Sequence, residues 1–194
     1  MYKRLAALSF ALVFGLSACS NDDDDKKEVS TKQESKIMLS ADGVGALNAE
    51  SSFNMHQVTL AFGKYNVVEE LNYHTGTPYP VIRVADGVKN LMTIIPDASQ
   101  QNIYSVIVED NLITNSLGHH LGTSYKTVYS EKAEQCQAGS EDMLGKALCY
   151  APKTPNIIYV FHGKSGSAVD GKLPSAEDLQ EWSLESIIWR PKSK

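Results

Sequence analysis

The sequence predicts an α+β fold in which short helices pack on an antiparallel sheet. Beyond its first 36 residues, the 194-residue chain is still long enough to bury the core of one domain. This part consists of short segments rich in β-branched residues, separated by Gly, Pro, Asp or Asn. Helix and strand patterns do not alternate strictly, which favours α+β over a parallel α/β sheet. A turn, a helix and several strands follow one another twice, which indicates a weak tandem duplication of a helix-plus-meander module.

The first half begins with a turn signal at Asp42–Gly45 and a short helix. Residues 52–62, SFNMHQVTLAF, place apolar side chains with partly helical spacing after serine cap candidates. Four strand candidates follow, at residues 66–73, 80–86, 90–96 and 102–110. They predict a meander of four strands, with Leu112–Thr114 as a further short strand.

The second half opens with a glycine-punctuated turn at Gly118–Gly122. A helix is predicted after it, because Tyr125, Val128 and Tyr129 have i, i+3, i+4 spacing behind Thr123 or Ser124 as cap. Ser175–Asp178 opens a helical turn toward Trp182. The strand candidates of this half are ALCYA at 147–151, IIYVFHG at 157–163 and SLESIIWRP at 183–191.

The N-terminus has the layout of a secretory signal. Lys3 and Arg4 precede a run of apolar or small residues, Leu5–Leu16, which ends at Ser17, Ala18 and Cys19. The run is shorter than the roughly 20 apolar residues that a membrane-spanning helix needs. Residues 1–18 are therefore expected to be a signal peptide.

Leu16–Cys19, LSAC, resembles the lipobox of bacterial lipoproteins. The resemblance implies that Cys19 is lipidated, and that it becomes the first mature residue. Because each buried CH₂ contributes about 0.8 kcal/mol, three acyl chains would anchor the protein permanently. Ser20 then favours the outer membrane, and we expect its periplasmic face. The alternative is an ordinary signal peptide with a coincidental cysteine.

Residues 19–37 are expected to form a disordered acidic tether for a domain that spans residues 38–191. Asp22–Asp25 could be a calcium cluster, but the run lacks the glycine turn and spaced ligands of a calcium loop. Asp22–Lys26 also matches an enteropeptidase-like cleavage sequence. Because the segment has almost no large apolar side chains, a solvated spacer reaching on the order of 25 Å is the preferred interpretation.

Charge and cysteine content restrict the partners and cofactors. The formal net charge of −5 provides no basic footprint for nucleic acid, and no cofactor motif is present. Cys136 and Cys149 form an even pair in an exported chain, which predicts a disulfide worth roughly 3 kcal/mol. A redox or metal-binding thiol pair is the alternative, but the Cys-x-x-Cys spacing is missing.

Candidate catalytic and metal-binding residues are few. His119 and His120, with His162 or Glu131, could hold a metal, but adjacent strand residues point to opposite faces, so structural or exposed roles are expected. Gly163-Lys164-Ser165 lacks the spacing of a phosphate loop and of a nucleophile elbow. Adjacent carboxylates fit solvated surfaces better than a glycosidase pair. Several tyrosines and tryptophans could line a groove, although the helix and strand periods place them in the core. No catalytic residue and no metal ligand is expected.

Four blocks carry a resemblance to a known family: residues 43–47 (GVGAL), 121–136, 148–152 (LCYAP) and 171–191. With the lipobox, they resemble an uncharacterised family of Gram-negative lipoproteins named for regulation by the envelope-stress sigma factor. The resemblance implies a lipidated Cys19, a pairing of Cys136 with Cys149, and expression under envelope stress. It supplies no catalytic residue, and the long acidic tether departs from the family.

The expected function is that of a non-enzymatic outer-membrane lipoprotein that binds an envelope protein or supports envelope integrity under stress. One alternative is an inhibitor of a wall-directed enzyme, by fold-level analogy with small secreted inhibitors of β-lactamase or lysozyme. Another is a hydrolase acting on peptidoglycan or lipid, with His119, His120 or His162 beside a carboxylate.

Overall fold

A computed structural model describes residues 36–129, 136–163 and 171–192 of the protein. The predicted signal peptide, Cys19 and the acidic tether up to residue 35 lie outside this range, as does Glu131. Within the three described stretches, no helix is long and apolar enough to cross a membrane.

The fold is mainly β, with a few short helices. The helices are α1 (Met55–Phe62), α2 (Tyr125–Val128) and α3 (Ala176–Gln180), and a 3-10 turn covers Glu141–Met143. The strands are β1 (Ile37–Ser40), β2 (Gly43–Val44), β3 (Leu47–Asn48), β4 (Asn66–His74), β5 (Thr77–Asp86), β6 (Lys89–Pro96), β7 (Ile103–Val108), β8 (Ile113–Asn115), β9 (Cys136–Ala138), β10 (Ala147–Ala151), β11 (Thr154–His162) and β12 (Ser183–Trp189).

Eight strands form one antiparallel sheet in the order β4-β5-β6-β7-β12-β11-β10-β9. The predicted four-stranded meander is present as β4 to β7, each strand pairing with the next. The second set of strands joins it where β12 pairs with β7, with Ile188 opposite Ile107. The antiparallel sheet expected from the sequence is thus one continuous sheet.

The centre of this sheet is buried on both faces. Ile82, Ile94, Val106 and Tyr159 belong to the main core on one face and have no exposed surface. On the other face, Val160 lies at the centre of a smaller cluster with its strand neighbours. A strand covered on both faces has a continuous apolar run rather than strict alternation. This explains why residues 157–161, IIYVF, are apolar throughout.

A second, four-stranded sheet has the order β3-β2-β1-β8 and was not predicted as a sheet. Its strands are two to four residues long, and β1 pairs in parallel with β8, Ile37 opposite Ile113. Gly43 is required at the β2–β3 hairpin, because a Cβ atom there would overlap the backbone of Leu47. The small sheet supplies Leu39 and Val44 to the main core.

One backbone carbonyl connects the two sheets. The Ala41 oxygen, in the turn between β1 and β2, accepts a hydrogen bond from Asn156 Nδ2 at 2.7 Å and another from Trp189 Nε1 at 3.3 Å. Both donors are buried and belong to the large sheet. The turn is therefore held by β11 and β12 in addition to its local hydrogen bond from the Asp42 N–H to Ser40 Oγ at 3.2 Å.

Helices α1 and α3 begin at residues whose side chains satisfy a free backbone N–H group, whereas Ser124 at the start of α2 makes no such bond. Asn54 caps α1, its side chain accepting from the Gln57 N–H at 3.1 Å, so the cap lies beyond the serines that the sequence indicated. Val58 and Phe62 are the buried residues of this helix. Ser175 caps α3 as predicted, accepting from the Asp178 N–H at 3.1 Å.

The predicted disulfide joins Cys136 in β9 to Cys149 in β10, two residues that lie directly opposite each other in the sheet. The bridge closes a separation of 13 residues and fastens the three-residue edge strand β9 to its neighbour. Tyr125 contacts it through its hydroxyl, 3.8 Å from Cys136 Sγ.

Reduction of this bridge is expected to lower the free energy of unfolding by about 3 kcal/mol, because the unfolded chain regains the loop freedom that the disulfide removes. Urea unfolding of the purified protein, with and without reductant, measures the change while keeping both sulfur atoms in place. A double Cys136→Ala, Cys149→Ala variant serves as the control and should no longer respond to reductant. Equal midpoints for the oxidised and reduced protein would contradict the expectation.

Candidate functional site

Of the three candidate histidines, His119 forms a hydrogen bond to a side chain of the core. Its Nδ1 lies 2.9 Å from the hydroxyl of Tyr159, which also accepts a hydrogen bond from Asn115 Nδ2 at 2.8 Å. Burial lowers the pKa of His119, and the nearby His120 lowers it further. Burial also raises the pKa of the Tyr159 hydroxyl. Both directions agree with a neutral imidazole whose Nδ1 accepts a hydrogen bond from the neutral phenol O–H, so His119 fastens its loop to the sheet.

The other two histidines do not join it. His120 is exposed, and its Nδ1 lies 3.0 Å from the Leu121 carbonyl. His162 is exposed at the end of β11, with its ring centroid 6.3 Å from that of Trp182. No cluster of three or more histidine, cysteine or acidic side chains that could hold a metal occurs in the described parts of the chain.

Most of the aromatic residues considered for a groove belong to the core, as their spacing predicted. Buried side chains are those of Tyr125, Tyr159, Phe161, Trp182 and Trp189. Tyr129 is half-buried, and its hydroxyl donates to the Tyr150 carbonyl at 2.6 Å. Tyr150 itself is exposed. These aromatic rings therefore stabilise the fold rather than form a binding surface together.

A different set of residues lines a large surface cavity, which we name the hairpin groove. The groove has a volume of about 630 Å³, within the range of ligand-binding clefts. It is lined by the tip of the β4–β5 hairpin (His74, Thr77, Pro78, Tyr79), by the sheet residues Ile95, Pro96 and Tyr104, and by the β6–β7 turn (Asp97, Ala98, Gln100).

Two tyrosines give the hairpin groove its aromatic surface. The hydroxyl of Tyr79 accepts a hydrogen bond from Asn72 Nδ2 at 3.0 Å. Burial raises the pKa of Tyr79, and the negative charge of Asp142 raises it further. Its phenol therefore stays neutral. The guanidinium of Arg190 stacks 5.1 Å from the centroid of the exposed Tyr104 ring, which restricts that ring from one side.

The β6–β7 turn of the groove is held by one carboxylate. Asp97 accepts hydrogen bonds from Asn102 Nδ2 at 2.9 Å, from the Ser99 hydroxyl at 2.7 Å and from the Gln101 N–H at 3.1 Å. The side-chain bonds from Asn102 and Ser99 hold the pKa of Asp97 well below its ordinary value. This wall of the groove is accordingly ordered and negatively charged.

Acidic residues from the opposite end of the large sheet approach the same hairpin. Glu141 Oε2, in the 3-10 turn before β10, lies 3.2 Å from His74 Nδ1. Both side chains are more than half exposed, so this pair contributes little to stability. Its consequence is electrostatic, because Glu141 and the adjacent Asp142 extend the negative charge around the groove. The groove thus combines an apolar, aromatic lining with an acidic rim.

The hairpin also presents apolar side chains outside the groove. Leu71 is 65% exposed and Tyr73 59% exposed on β4, and the neighbouring Val68 is also exposed. They lie on a strand that belongs to the large sheet through β5 alone.

None of the groove residues was singled out from the sequence. Pro78, Tyr79 and Pro80 form a visible Pro-Tyr-Pro motif, but β5 was predicted to begin only at Pro80. The available signal was this cluster of prolines around an aromatic residue next to a Gly76 turn. Its position at a groove depends on the distant turn at Asp97–Asn102.

Comparisons with known proteins agree on one family. A family model described as "Protein of unknown function (DUF1131)" matches residues 27–191. The "Uncharacterized protein YfeY" of Escherichia coli (strain K12) is 28% identical over 157 residues, covering 80% of this chain and 81% of the relative. A crystal structure of the uncharacterized protein yfeY from Escherichia coli superposes with a TM-score of 0.64 at 26% identity, covering 80% of this chain and 99% of that one.

Proposed function

The chain belongs to the DUF1131 family, and from this premise we propose that it is an outer-membrane lipoprotein whose β domain binds an envelope protein through the hairpin groove. The binding is non-catalytic and maintains the envelope under stress. The single observation that carries the proposal is the apolar, aromatic groove with an acidic rim.

The sequence supports the anchor and the location. Lys3, Arg4 and the apolar run lead to the lipobox cysteine Cys19, and Ser20 follows it. A lipid-anchored domain on the periplasmic face of the outer membrane meets envelope proteins in an effectively two-dimensional space. Even a groove of moderate affinity is then useful, because confinement raises the local concentration of both partners.

The chemistry of the groove defines the partner segment. Tyr79, Tyr104 and Ile95 supply apolar contact area, while Asp97 and the nearby Glu141 supply negative charge. The complementary ligand is an extended protein segment with apolar side chains and at least one Lys or Arg. Aromatic and proline-lined grooves of this kind suit segments that are already extended before they bind.

The surroundings of the histidines support a binding role over a hydrolytic one. His119 accepts from the Tyr159 hydroxyl, and His120 contacts a backbone carbonyl. His74 Nδ1 lies 3.2 Å from Glu141 Oε2 at the surface, and both side chains are more than half exposed.

A photo-crosslinking amino acid placed at Ala98 tests the proposal in living cells with the full chain. Ala98 is an exposed lining residue of the groove. Val88, fully exposed in the β5–β6 turn, is the matched control position. We expect position 98, and not position 88, to yield an adduct with one envelope protein, identified by mass spectrometry.

Binding of the identified partner to the purified protein then checks the site. Tyr79→Ala should weaken binding at least tenfold, which corresponds to about 1.4 kcal/mol, whereas Val88→Ala should leave it unchanged. Identical adducts from positions 88 and 98, or equal affinities for the two variants, would rule out the groove as the binding site.

We also infer that the domain arose by duplication of a helix-plus-meander module. Helix α1 precedes β4 to β7, and α2 precedes β9 to β12, with α3 inserted before β12, so each half supplies four strands of one sheet. The meeting of the halves at β7 and β12 supports this inference.

A further inference from the structure

Strand β4 is a long, regular edge strand. It is the first strand of the large sheet, and it pairs with β5 over nine consecutive residue pairs, from Asn66 opposite Ala85 to His74 opposite Thr77, without a register shift. The other edge strand of the same sheet, β9, has three residues and is fastened by the disulfide. Strand β4 therefore presents a much longer unpaired edge to another chain than β9 does.

Apart from the charged side chains Glu69 and Glu70, the devices that normally protect an edge are missing from β4. Proteins blunt such edges with prolines, lysines, bulges or short strands. The sequence of β4, NVVEELNYH, contains neither proline nor lysine, and its pairing contains no bulge. Its charged side chains include Glu69 and Glu70, and the Glu70 carboxylate pairs with Arg83 Nε at 2.9 Å. Beside these carboxylates the strand exposes the apolar side chains Val68, Leu71 and Tyr73.

Hairpin geometry identifies the backbone groups that point outward. The loop has two residues, Thr75 and Gly76, both with positive φ, as in a type I′ turn. His74 and Thr77 flank it and exchange ladder hydrogen bonds, so every second residue of β4 bonds to β5. Val67, Glu69, Leu71 and Tyr73 have N–H and C=O groups directed away from the sheet, and the Tyr73 N–H donates to Asn72 Oδ1 at 2.9 Å.

The prolines of β5 agree with this assignment. Pro80 lies opposite Leu71, and Pro78 lies opposite Tyr73. A proline has no N–H to donate, so it fits only where the strand pair exchanges no hydrogen bond. Leu71 and Tyr73 are therefore the residues whose backbone groups face the open edge.

We propose that β4 is a self-association surface, in which β4 of one copy pairs antiparallel with β4 of a second copy and the two Leu71 residues lie opposite each other. Their 65% exposed side chains would then be covered on one face of a continuous sixteen-stranded sheet.

Like-charge repulsion selects this register. Three two-fold registers overlap most of β4, and they are centred on residue 69, 70 or 71. The first two place Glu69 opposite Glu69 or Glu70 opposite Glu70, and directly opposed like charges destabilise a sheet. Centring on Leu71 places Glu69 opposite Tyr73 and Glu70 opposite Asn72, so each carboxylate faces a side chain that can donate a hydrogen bond.

The size of the contact predicts a weak dimer. An edge-to-edge pairing of seven residues per copy falls below the interfaces of tight dimers, so it forms at high local concentration. The surface goes beyond the proposed function and uses neither Tyr79 nor Tyr104 of the hairpin groove. Because Asn72 Nδ2 donates to the Tyr79 hydroxyl, the groove is tested in copies that keep Asn72, and the two surfaces are then judged independently.

Cysteine pairing between two differently tagged full-length copies tests the register in cells. One copy carries Glu70→Cys and the other carries Asn72→Cys. In the Leu71-centred register these residues form a non-hydrogen-bonded pair, close enough for a disulfide. We expect a disulfide-linked species containing both tags, at least fivefold more abundant than the link between two Glu70→Cys copies.

Two further measurements complete the test. A Val88→Cys copy combined with Asn72→Cys should give only background crosslinking, because Val88 is equally accessible but lies off the edge. Leu71→Pro removes the outward N–H at the centre of the pairing and leaves the β4–β5 hydrogen bonds in place. It should abolish the crosslink without changing the melting temperature of the protein or the adduct formed at Ala98.

The proposal would be overturned by crosslinking that is as strong from Val88→Cys as from Glu70→Cys, or by a crosslink that survives Leu71→Pro. Predominant linking of two Glu70→Cys copies would equally exclude the Leu71-centred register. Links to a different protein at both positions would assign the edge to that protein instead. Each of these outcomes leaves the groove experiment to be judged separately.

Discussion

Replacing Trp189 with alanine is expected to lower the free energy of unfolding by about 3–5 kcal/mol, the range for deleting a large buried aromatic side chain. Trp189 is 1% exposed and lies in β12 between Ile157 of β11 and Val106 of β7. The substitution opens a cavity at the centre of the large sheet. It also removes one of the two hydrogen bonds to the Ala41 carbonyl.

Urea unfolding of the purified protein measures this effect. Trp189→Phe keeps an aromatic ring and loses the indole N–H, so it should lower the free energy of unfolding clearly less than Trp189→Ala does. Tyr150→Ala removes an aromatic side chain that is already exposed on β10. It should lower the free energy of unfolding only by the small amount typical of surface positions. Similar midpoints for Trp189→Ala and Tyr150→Ala would show that Trp189 does not have the packing described above.

Replacing Cys19 with serine is expected to move the protein from the membrane fraction to the soluble fraction. Serine cannot form the thioether to diacylglycerol, and the apolar contribution of about 0.8 kcal/mol per buried CH₂ is lost with the acyl chains. Fractionation of cells after an alkaline wash, together with labelling by an alkyne fatty acid, measures both anchoring and lipidation.

A matched variant separates the anchor from the fold. Cys136→Ala combined with Cys149→Ala removes the other two cysteines and should stay in the membrane fraction with its lipid label. Retention of Cys19→Ser in the washed membranes, with no loss of label, would refute the lipobox interpretation.

Local sequence was sufficient where strands are long and their turns are marked. The meander from β4 to β7 was predicted because its runs of β-branched residues are separated by Gly76, by Gly87 and by the Asp97–Asn102 turn. Local sequence was insufficient to predict β1 to β3 and β9, since strands of two to four residues are too short to show a period. Their existence depends on partners that are distant in sequence, as in the parallel pairing of β1 with β8.

The second predicted helix shows the same limit. Its i, i+3, i+4 spacing included Tyr129, but α2 ends at Val128 and Tyr129 has an extended backbone. A tertiary contact accompanies this end, because the Tyr129 hydroxyl donates to the carbonyl of Tyr150 in β10. Intrinsic spacing predicted the helix, and packing against the sheet set its length.

The exposed end of the β4–β5 hairpin, whose tip lines the groove, could not be predicted, because its β4 residues follow the pattern of the core. Val67, Leu71 and Tyr73 lie on one face of β4 with the same period of two, yet Val67 packs against the core while Leu71 and Tyr73 are exposed. The difference arises because the β4–β5 hairpin extends past the elements that cover the sheet. The sequence of one strand does not show where the elements that cover the sheet end.

The two hydrogen bonds to the Ala41 carbonyl affect the order in which the parts of the domain fold. The two donors lie 115 and 148 residues further along the chain, so these two hydrogen bonds form only when almost the entire polypeptide is present. Contacts of such long sequence separation slow folding, because a large loop must close before they form. We therefore expect this N-terminal turn to reach its native position late in folding, after β11 and β12 have joined the large sheet.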